Sequence, residues 1–158
     1  MRDIKFRAWD KENRCMVYQE EMNGYIENKQ YWFSLSETAV ELNVFDEDYK
    51  AYVQADADIM EYTGLKDING TEIYEGDILK EKHYKYSNKP PKKSYGVIKR
   101  EEGNCNMYVE WNFQDRYEGE VFWNKDRLSL RCAHQYEVIG NIYENSELLV
   151  NQMKRVIE

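Results

Sequence analysis

The sequence contains few of the residues on which catalysis and metal binding most often depend. Its 158 residues include two histidines, three cysteines and two prolines. The cysteines are odd in number and widely spaced, at Cys15, Cys105 and Cys132. This pattern argues against a disulfide framework and favours reduced thiols, as in a cytoplasmic protein.

Long apolar runs are absent as well. No segment approaches the roughly 18 apolar residues of a membrane-spanning helix. The first residues, Met1-Arg-Asp-Ile-Lys-Phe-Arg7, are charged from the second position and contain no apolar stretch of signal-peptide length. We therefore expect a cytoplasmic protein that makes no contact with a membrane.

Aromatic residues, by contrast, make up 15% of the chain, with fourteen Tyr and four Trp against five Phe. Tyr and Trp fit the pleated, half-buried surfaces of sheets. The composition therefore favours a mainly β fold. The length favours a single domain that is large enough to bury a core of its own.

Short alternating segments predict the individual strands. Residues 3–9 alternate apolar with charged side chains, so we expect a half-buried strand with Lys5 and Arg7 towards solvent. The remaining predicted strands are 15–18, 25–26, 31–35, 59–62, 71–74, one that begins at 78, 95–99, 105–111, 120–123, 129–131 and 136–143.

The connections between these strands differ in how clearly the sequence defines them. Asn69-Gly70 is a preferred pair for a type I′ hairpin turn, because both turn positions need positive φ. In residues 36–57, Ser36 is a suitable cap for a short helix over 37–42, but the acidic run Asp46-Glu-Asp48 would break it. We therefore expect an irregular, solvated connection over 36–57.

The end of the chain has the pattern of a capped helix over 146–157. Asn145 is a good N-cap, Glu147 lies in the first turn, and Lys154-Arg155 lie in the last. Apolar residues recur at helical spacing, at Leu149, Met153 and Val156 or Ile157. This stripe predicts docking on the same chain or on a second subunit, and we expect stable self-association.

Residues with catalytic potential do not occur at the spacings that catalytic or metal sites require. In a strand, Glu75 and Asp77 share a face while Glu72 points to the other, so no carboxylate cluster is expected. The glycines lack the Lys-Ser/Thr and the strand-to-helix context of a phosphate loop. A zinc or Cys–His site would have to combine the loosely spaced pair Cys132 and His134 with two distant residues, Cys105 and His83. We expect no catalytic residue, no cofactor and no metal.

Charge is distributed unevenly along the chain, although the net charge is −8. Residues 37–61 contain eight acids and one Lys, whereas residues 82–100 contain seven basic residues and no acid. The basic stretch includes Pro90-Pro91, so we expect a loop or an extended arm.

The cations of this basic stretch alternate with aromatic residues that could stack on bases or sugars. The candidate binding residues are Lys82, Lys85, Tyr86, Lys89, Lys92, Lys93, Tyr95, Lys99 and Arg100. The alternatives are a solvated hairpin tip, or an arm that docks on residues 37–61 of the same or another chain.

Three blocks of sequence resemble the YopX family, which occurs in phage and prophage genomes. They are Ile4-Lys-Phe-Arg-Ala-Trp-Asp10, then Met60-Glu-Tyr-Thr-Gly-Leu-Lys-Asp67 with Asn69-Gly70 and Ile73-Tyr-Glu-Gly-Asp-Ile78, and finally Val138-Ile-Gly-Asn-Ile-Tyr-Glu-Asn145. Two positions depart from the family pattern, which often has Gln in place of Glu61 and Pro in place of Ser146. Neither change threatens the fold.

The resemblance implies a mainly β fold with an SH3-like small barrel. Residues 1–57 would form an N-terminal β segment with the acidic connection, 58–143 the barrel with the basic loop 82–95, and 144–158 the C-terminal helix. The family brings no established activity. We therefore expect a non-catalytic protein-interaction module that self-associates and binds a host or phage protein. The alternatives are nucleic-acid binding through residues 82–100 and an enzyme of unknown type.

Overall fold

The structure, a computed structural model, describes residues 3–19, 25–26, 28–36, 39–81, 95–101, 106–114, 121–127 and 135–149. These residues are mainly β, as predicted. The strands are β1 Phe6–Asp10, β2 Cys15–Tyr18, β3 Tyr25–Ile26, β4 Lys29–Leu35, β5 Val40–Asp46, β6 Ala51–Gln54, β7 Ala57–Lys66, β8 Glu72–Tyr74, β9 Asp77–Glu81, β10 Tyr95–Arg100, β11 Met107–Gln114, β12 Val121–Arg127 and β13 Tyr136–Asn141. Within the described ranges, no helix is long and apolar enough to cross a membrane.

The chain divides into two compact units, Met1–Tyr62 and Thr63–Glu158. The boundary falls within β7, whose first six residues belong to unit 1 and whose last four belong to unit 2. Several predicted features lie outside the described residues. They are most of the basic loop 82–95, the strand 129–131, the helix beyond residue 149, Cys105, Cys132, His83 and His134.

Unit 1 consists of two antiparallel sheets with a shared core. In one sheet β1 lies between β2 and β7, and in the other the order is β3-β4-β5-β6. The core between them contains Ala8, Cys15 and Val17 from the first sheet and Tyr31, Phe33 and Leu42 from the second. Burial of these side chains is the main stabilising contribution in such a two-layer arrangement.

Arg7 is buried rather than directed to solvent, which corrects the sequence-based expectation. Its side chain is 4% exposed, and it lies between Tyr18 and Met60 in the register of the sheet. When apolar and charged residues alternate along a strand, the charged ones face solvent only if one face of the sheet is not covered by other parts of the protein. In β1, positions on both faces are covered, with Arg7 and Ala8 both buried.

Residues 36–57 are not an irregular connection, so that prediction is wrong. β5 and β6 form an antiparallel hairpin in which Val44 pairs with Val53 and Phe45 with Tyr52. The acidic run that was expected to break a helix lies at the turn instead. There the Asp46 carboxylate accepts hydrogen bonds from the amides of Asp48 and Tyr49, both at 2.9 Å. Local side-chain to backbone bonds of this kind stabilise turns.

Unit 2 is built on a five-stranded antiparallel sheet with the order β12-β11-β10-β9-β13. Its core contains Leu79, Ile98, Val109, Trp111 and Tyr136, together with Ile73 of β8. The rings of Trp111 and Tyr136 are 4.8 Å apart between centroids. Gly96 lies opposite Trp111 in the register, where an added Cβ would come within 2.4 Å of Val109. The glycine is therefore required for close packing of this core.

The Asn69-Gly70 turn occurs where predicted, but it is not of type I′. The Gly70 amide donates to the Asp67 carbonyl at 3.1 Å, and the Asp67 amide donates to the Thr71 carbonyl at 2.8 Å. Gly70 has φ +86°, whereas Asn69 is not in the positive-φ region. This is a type I turn over Asp67–Gly70 with a left-handed glycine at its end.

Candidate functional site

The nine candidate residues of the basic stretch are only partly described. Lys82, Lys85, Tyr86, Lys89, Lys92 and Lys93 lie outside the described residues, and the other three, Tyr95, Lys99 and Arg100, lie on β10. Lys99 Nζ forms an ion pair with Glu110, and Arg100 Nε lies 3.5 Å from Glu75 Oε2. The two charged residues of β10 therefore pair with carboxylates of their own unit.

Glu72, Glu75 and Asp77, three closely spaced carboxylates of the sequence, each contact a different group. The Tyr74 hydroxyl donates to Glu72 at 2.9 Å, while the Tyr74 amide donates to Asp77 at 2.7 Å. Glu75 faces Arg100 instead. Over the described part of the chain, no group of three or more His, Cys, Asp or Glu side chains is arranged to hold a metal ion.

Asp67 is the buried polar residue that organises the central turn of unit 2. Its carboxylate is 3% exposed. Oδ1 accepts hydrogen bonds from the amides of Asn69 and Thr71, both at 2.8 Å, and Oδ2 accepts one from Val138 at 2.9 Å. The first two bonds favour the type I turn, and the third fixes the turn to β13. Backbone amides therefore donate to both oxygens of this carboxylate.

Asp10 has the same role in unit 1. Oδ1 accepts from the amides of Glu12 and Asn13, and Oδ2 accepts from the Tyr31 hydroxyl at 2.9 Å. Burial favours the neutral acid, but the bonds from Asn13, Tyr31 and Glu12 outweigh it and hold the pKa of Asp10 below its usual value. Burial, with contacts to Cys15 and Asp10, raises the pKa of Tyr31. Cys15 Sγ lies 3.5 Å from the Tyr31 hydroxyl.

Asn141 organises the turn that follows β13. Its Oδ1 accepts hydrogen bonds from the amides of Tyr143 and Glu144 at 3.0 and 2.9 Å. Asn145 Oδ1 in turn accepts one from the Asn141 amide at 3.2 Å. Gly140 has φ +152°, and a Cβ there would lie 2.3 Å from Asn145 Oδ1. Asn145, predicted as a helix cap, thus directs its side chain back to the strand.

Unit 1 carries an exposed aromatic face on the outer side of β4, β5 and β6. Tyr31 and Phe33 alternate with Trp32 along β4, so Trp32 points away from the core and is 47% exposed. By the same alternation and register, Phe45 and Tyr52 lie on this outer side. Their ring centroids are 5.4 Å apart in an edge-to-face arrangement, and Tyr52 is 43% exposed. We call Trp32, Phe45 and Tyr52 the aromatic face.

Acidic residues surround the aromatic face. Glu41 lies on the same outer side of β5, and Glu47 and Asp48 lie in the turn beside Phe45 and Tyr52. Tyr49, in that turn, is 78% exposed. Residues 40–54 contain four acids and one cation, Lys50, whose Nζ lies 2.7 Å from Glu47 Oε2. The surface therefore combines exposed aromatic rings with net negative charge.

A family model described as YopX protein matches residues 5–150. The chain belongs to the YopX family. A comparison with curated proteins gives no match. Among solved structures, this YopX-family chain is similar to protein EF1440 from Enterococcus faecalis, with 27% identity, coverage of 94% of this chain and 99% of that chain, and a TM-score of 0.45.

The residues that carry the YopX resemblance have structural roles in this chain. Asp10, Asp67 and Asn141 come from the three separate blocks, and each accepts hydrogen bonds from turn amides. Asp77, 1% exposed, accepts one from Tyr74. Three residues of the matching blocks, Asp10, Asp67 and Asn141, therefore stabilise turns of this chain.

The aromatic face was not identified from the sequence, although part of its signal was present. Residues 40–45 alternate, with Val40, Leu42 and Val44 on the inner side, which is the period of a half-buried strand. That pattern could have predicted β5. The neighbouring positions of Trp32, Phe45 and Tyr52 depend on strand register, which a single sequence does not define.

Proposed function

We propose that this YopX-family chain is a non-catalytic protein-interaction module, an accessory protein of the phage type that acts in the host cytoplasm. The observation that carries the proposal is the aromatic face with its acidic surround. Trp and Tyr are the residues that most often dominate binding energy at protein interfaces. Two of them are more than two-fifths exposed on one strand-paired surface, Trp32 at 47% and Tyr52 at 43%.

The buried polar residues support the non-catalytic part of the proposal. An acid or base in catalysis needs an atom within hydrogen-bond reach of a substrate. The carboxylates of Asp10 and Asp67 instead accept bonds from backbone amides and neighbouring side chains at 2.7–3.0 Å. An activity panel with added metals tests this part, and turnover above a heat-inactivated control would contradict it.

A pull-down from a bacterial host lysate tests the interaction itself. Tagged wild-type chain is compared with Trp32→Ala and Tyr52→Ala, and with Tyr18→Ala, an exposed tyrosine of β2, as the matched control. We expect at least one co-purifying protein that both aromatic-face variants lose and the control retains. Identical recoveries from all four chains would contradict the proposal.

Nucleic-acid binding is the second candidate, because residues 82–100 contain seven basic residues and no acid. Titration with single- and double-stranded DNA at several salt concentrations tests it. Phosphate contacts give a log–log salt slope of a few units, which falls by about one for each Lys removed. The matched pair is Lys92→Gln and Lys50→Gln, of which only the first is expected to change the slope. Absence of binding at low salt would exclude this function.

We also propose that unit 2 is an SH3-like small barrel and that the C-terminal helix extends over 146–157. The consecutive antiparallel order of β9 to β12, with β13 returning beside β9, supports the first point. The Leu148 amide donates to the Asn145 carbonyl at 3.0 Å. This bond begins a helical turn and so supports the C-terminal helix. Carbon chemical shifts measured by NMR would test the helix, and random-coil values over 150–157 would contradict it.

A further inference from the structure

β6 is the edge strand of the sheet that bears the aromatic face. The sheet order ends at β6, and no strand within the described residues lies on its other side. Exposed edges are usually protected by Lys, Pro or a bulge. β6 consists of Ala51, Tyr52, Val53 and Gln54, with neither a charge nor a proline. Its edge is therefore competent to pair with another strand.

The hydrogen-bond pattern shows which backbone groups of β6 point outwards. The Ala55 amide donates to the Leu42 carbonyl at 2.9 Å, so positions 42 and 55 form a hydrogen-bonded pair. Hydrogen-bonded and non-hydrogen-bonded pairs alternate along antiparallel strands. Val44 and Val53 are then hydrogen-bonded to each other. The N–H and C=O groups of Tyr52 and Gln54 consequently point away from β5, towards the open edge.

A strand added at this edge would place alternate side chains beside Tyr52 on the aromatic face. The chemistry there favours a cation, because positive groups bind over aromatic rings. Glu47 and Asp48 lie in the adjoining turn, and the one cation of the hairpin, Lys50, already pairs with Glu47. Opposite charges on neighbouring strands are stabilising, whereas like charges are not.

We propose that β6 binds an extended segment of a partner protein by strand addition, with Lys or Arg at alternate positions of that segment on the aromatic face. This inference rests on the proposed function and deepens it by naming the recognition mode and the partner's chemistry. Main-chain hydrogen bonds to Tyr52 and Gln54 supply affinity, as in other strand-addition complexes. The aromatic rings and the acidic turn select the cationic side chains.

Three labelled peptides of about ten residues, a length that exceeds β6, separate the parts of the proposal. The first alternates Lys with Thr, the second alternates Glu with Thr, and the third is the Lys–Thr peptide with N-methyl groups on alternate residues. N-methylation removes the donors that strand addition needs but keeps the charge.

We expect saturable binding of the first peptide at about 0.15 M salt, an ionic strength that screens exposed charges over about 8 Å. At least tenfold weaker binding is expected for the other two. Equal binding of the methylated peptide, or of the Glu–Thr peptide, would overturn the proposal.

Variants of the chain locate the site. Gln54→Pro removes an N–H that points to the open edge, so the β5–β6 pairing is retained while strand addition is lost. We expect it to abolish binding of the Lys–Thr peptide, and Tyr52→Ala to raise the Kd about fivefold. The matched controls are Tyr18→Ala and Glu12→Gln, both at exposed positions outside this hairpin. Equal effects of controls and site variants would contradict the assignment.

The same assays distinguish this inference from the proposed function. If the Lys–Thr peptide does not bind but the aromatic-face variants still lose a co-purifying protein, strand addition is wrong and the interaction module stands. If wild-type chain forms a dimer that Gln54→Pro abolishes, the occupant of the edge is a second copy, and the partner named here is wrong. Competition between the Lys–Thr peptide and the co-purifying protein would support both proposals.

Discussion

At the scale of single residues, burial determines what a capping carboxylate contributes. Asp67 and Asp46 each accept hydrogen bonds from two amides of their own turn. Water reaches the donors around an exposed cap more readily than those around a buried one, so it replaces a lost carboxylate better at the exposed position. Asp67 is 3% exposed and also holds Val138 of β13. The same side-chain chemistry should therefore stabilise the fold by different amounts at the two positions.

Asp67→Ala is expected to lower the free energy of unfolding by about 3 kcal/mol, because three amides lose their acceptor. Asp46→Ala, the matched control in the β5–β6 turn, is expected to cost about 1 kcal/mol. Urea unfolding followed by tryptophan fluorescence measures both. Equal losses of free energy of unfolding in the two variants would show that burial of the carboxylate does not determine how much it stabilises the fold.

Asp10 predicts a pH dependence of stability. The pKa of Asp10 in the folded state lies below its usual value, because hydrogen bonds from Asn13, Tyr31 and Glu12 outweigh the effect of burial. A carboxyl group with a lowered pKa stabilises the fold above its unfolded-state pKa. This contribution is lost as the pH falls through the folded-state value. Asp10→Asn should therefore be less stable than wild type at neutral pH, with a difference that shrinks below about pH 4.

Urea unfolding midpoints of the two chains, measured from neutral pH down to about pH 3, test this dependence across the carboxyl range. Tyr31→Phe supplies the second comparison, because it removes the 2.9 Å bond to Asp10 Oδ2. We expect its pH dependence to be shallower than that of wild type. A constant difference between wild type and Asp10→Asn at every pH would rule out the role assigned to this carboxylate.

At the scale of elements, the β5–β6 hairpin contains a position that glycine would suit better. Lys50 has φ +52°, a left-handed conformation that costs a side chain about 1 kcal/mol. Lys50→Gly should raise the free energy of unfolding by about 0.5 kcal/mol after the greater chain entropy of glycine is included. The lost ion pair with Glu47 matters little, since both side chains are more than 70% exposed.

Ala51→Gly is the matched control for that prediction. Ala51 follows Lys50 directly, lies in β6, and is not in the positive-φ region. Glycine there relieves no strain and weakens the strand, so we expect a loss of about 0.5 kcal/mol. If Lys50→Gly raises the free energy of unfolding and Ala51→Gly lowers it, as measured by urea unfolding, the left-handed conformation of Lys50 is supported. A loss in both variants would contradict it.

The elements also show what the sequence could predict. The alternation of residues 3–9 located β1, and Cys15–Tyr18 was predicted with the bounds that β2 has. The Asn69-Gly70 turn was placed correctly but assigned the wrong type, because the carboxylate of Asp67 determines its geometry. β5 and β6 were missed because a local acidic run outweighed the alternation of Val40, Leu42 and Val44. The aromatic face was missed because it exists only through strand register.

At the scale of the whole molecule, charge is separated along the chain. Residues 1–80 carry a net charge of −9 and residues 81–158 a net charge of +1, with seven basic residues within 82–100. Surfaces of opposite sign attract one another between copies as well as within them, over about 10 Å at moderate salt. Apolar helical residues such as Leu149 offer a second means of association. We therefore predict self-association, and the two contributions respond differently to salt.

Light scattering coupled to gel filtration is expected to give a mass above the monomer value of 19.1 kDa that rises with concentration. Association through charge weakens as salt is raised, whereas association through apolar surface does not. Lys92→Glu with Lys93→Glu should reduce the mass if charge is responsible. Leu149→Lys should reduce the mass if the apolar helix is responsible. The response to salt should identify the same contribution, charge or apolar surface, as the variants do. A mass of 19.1 kDa at every concentration and salt would contradict self-association.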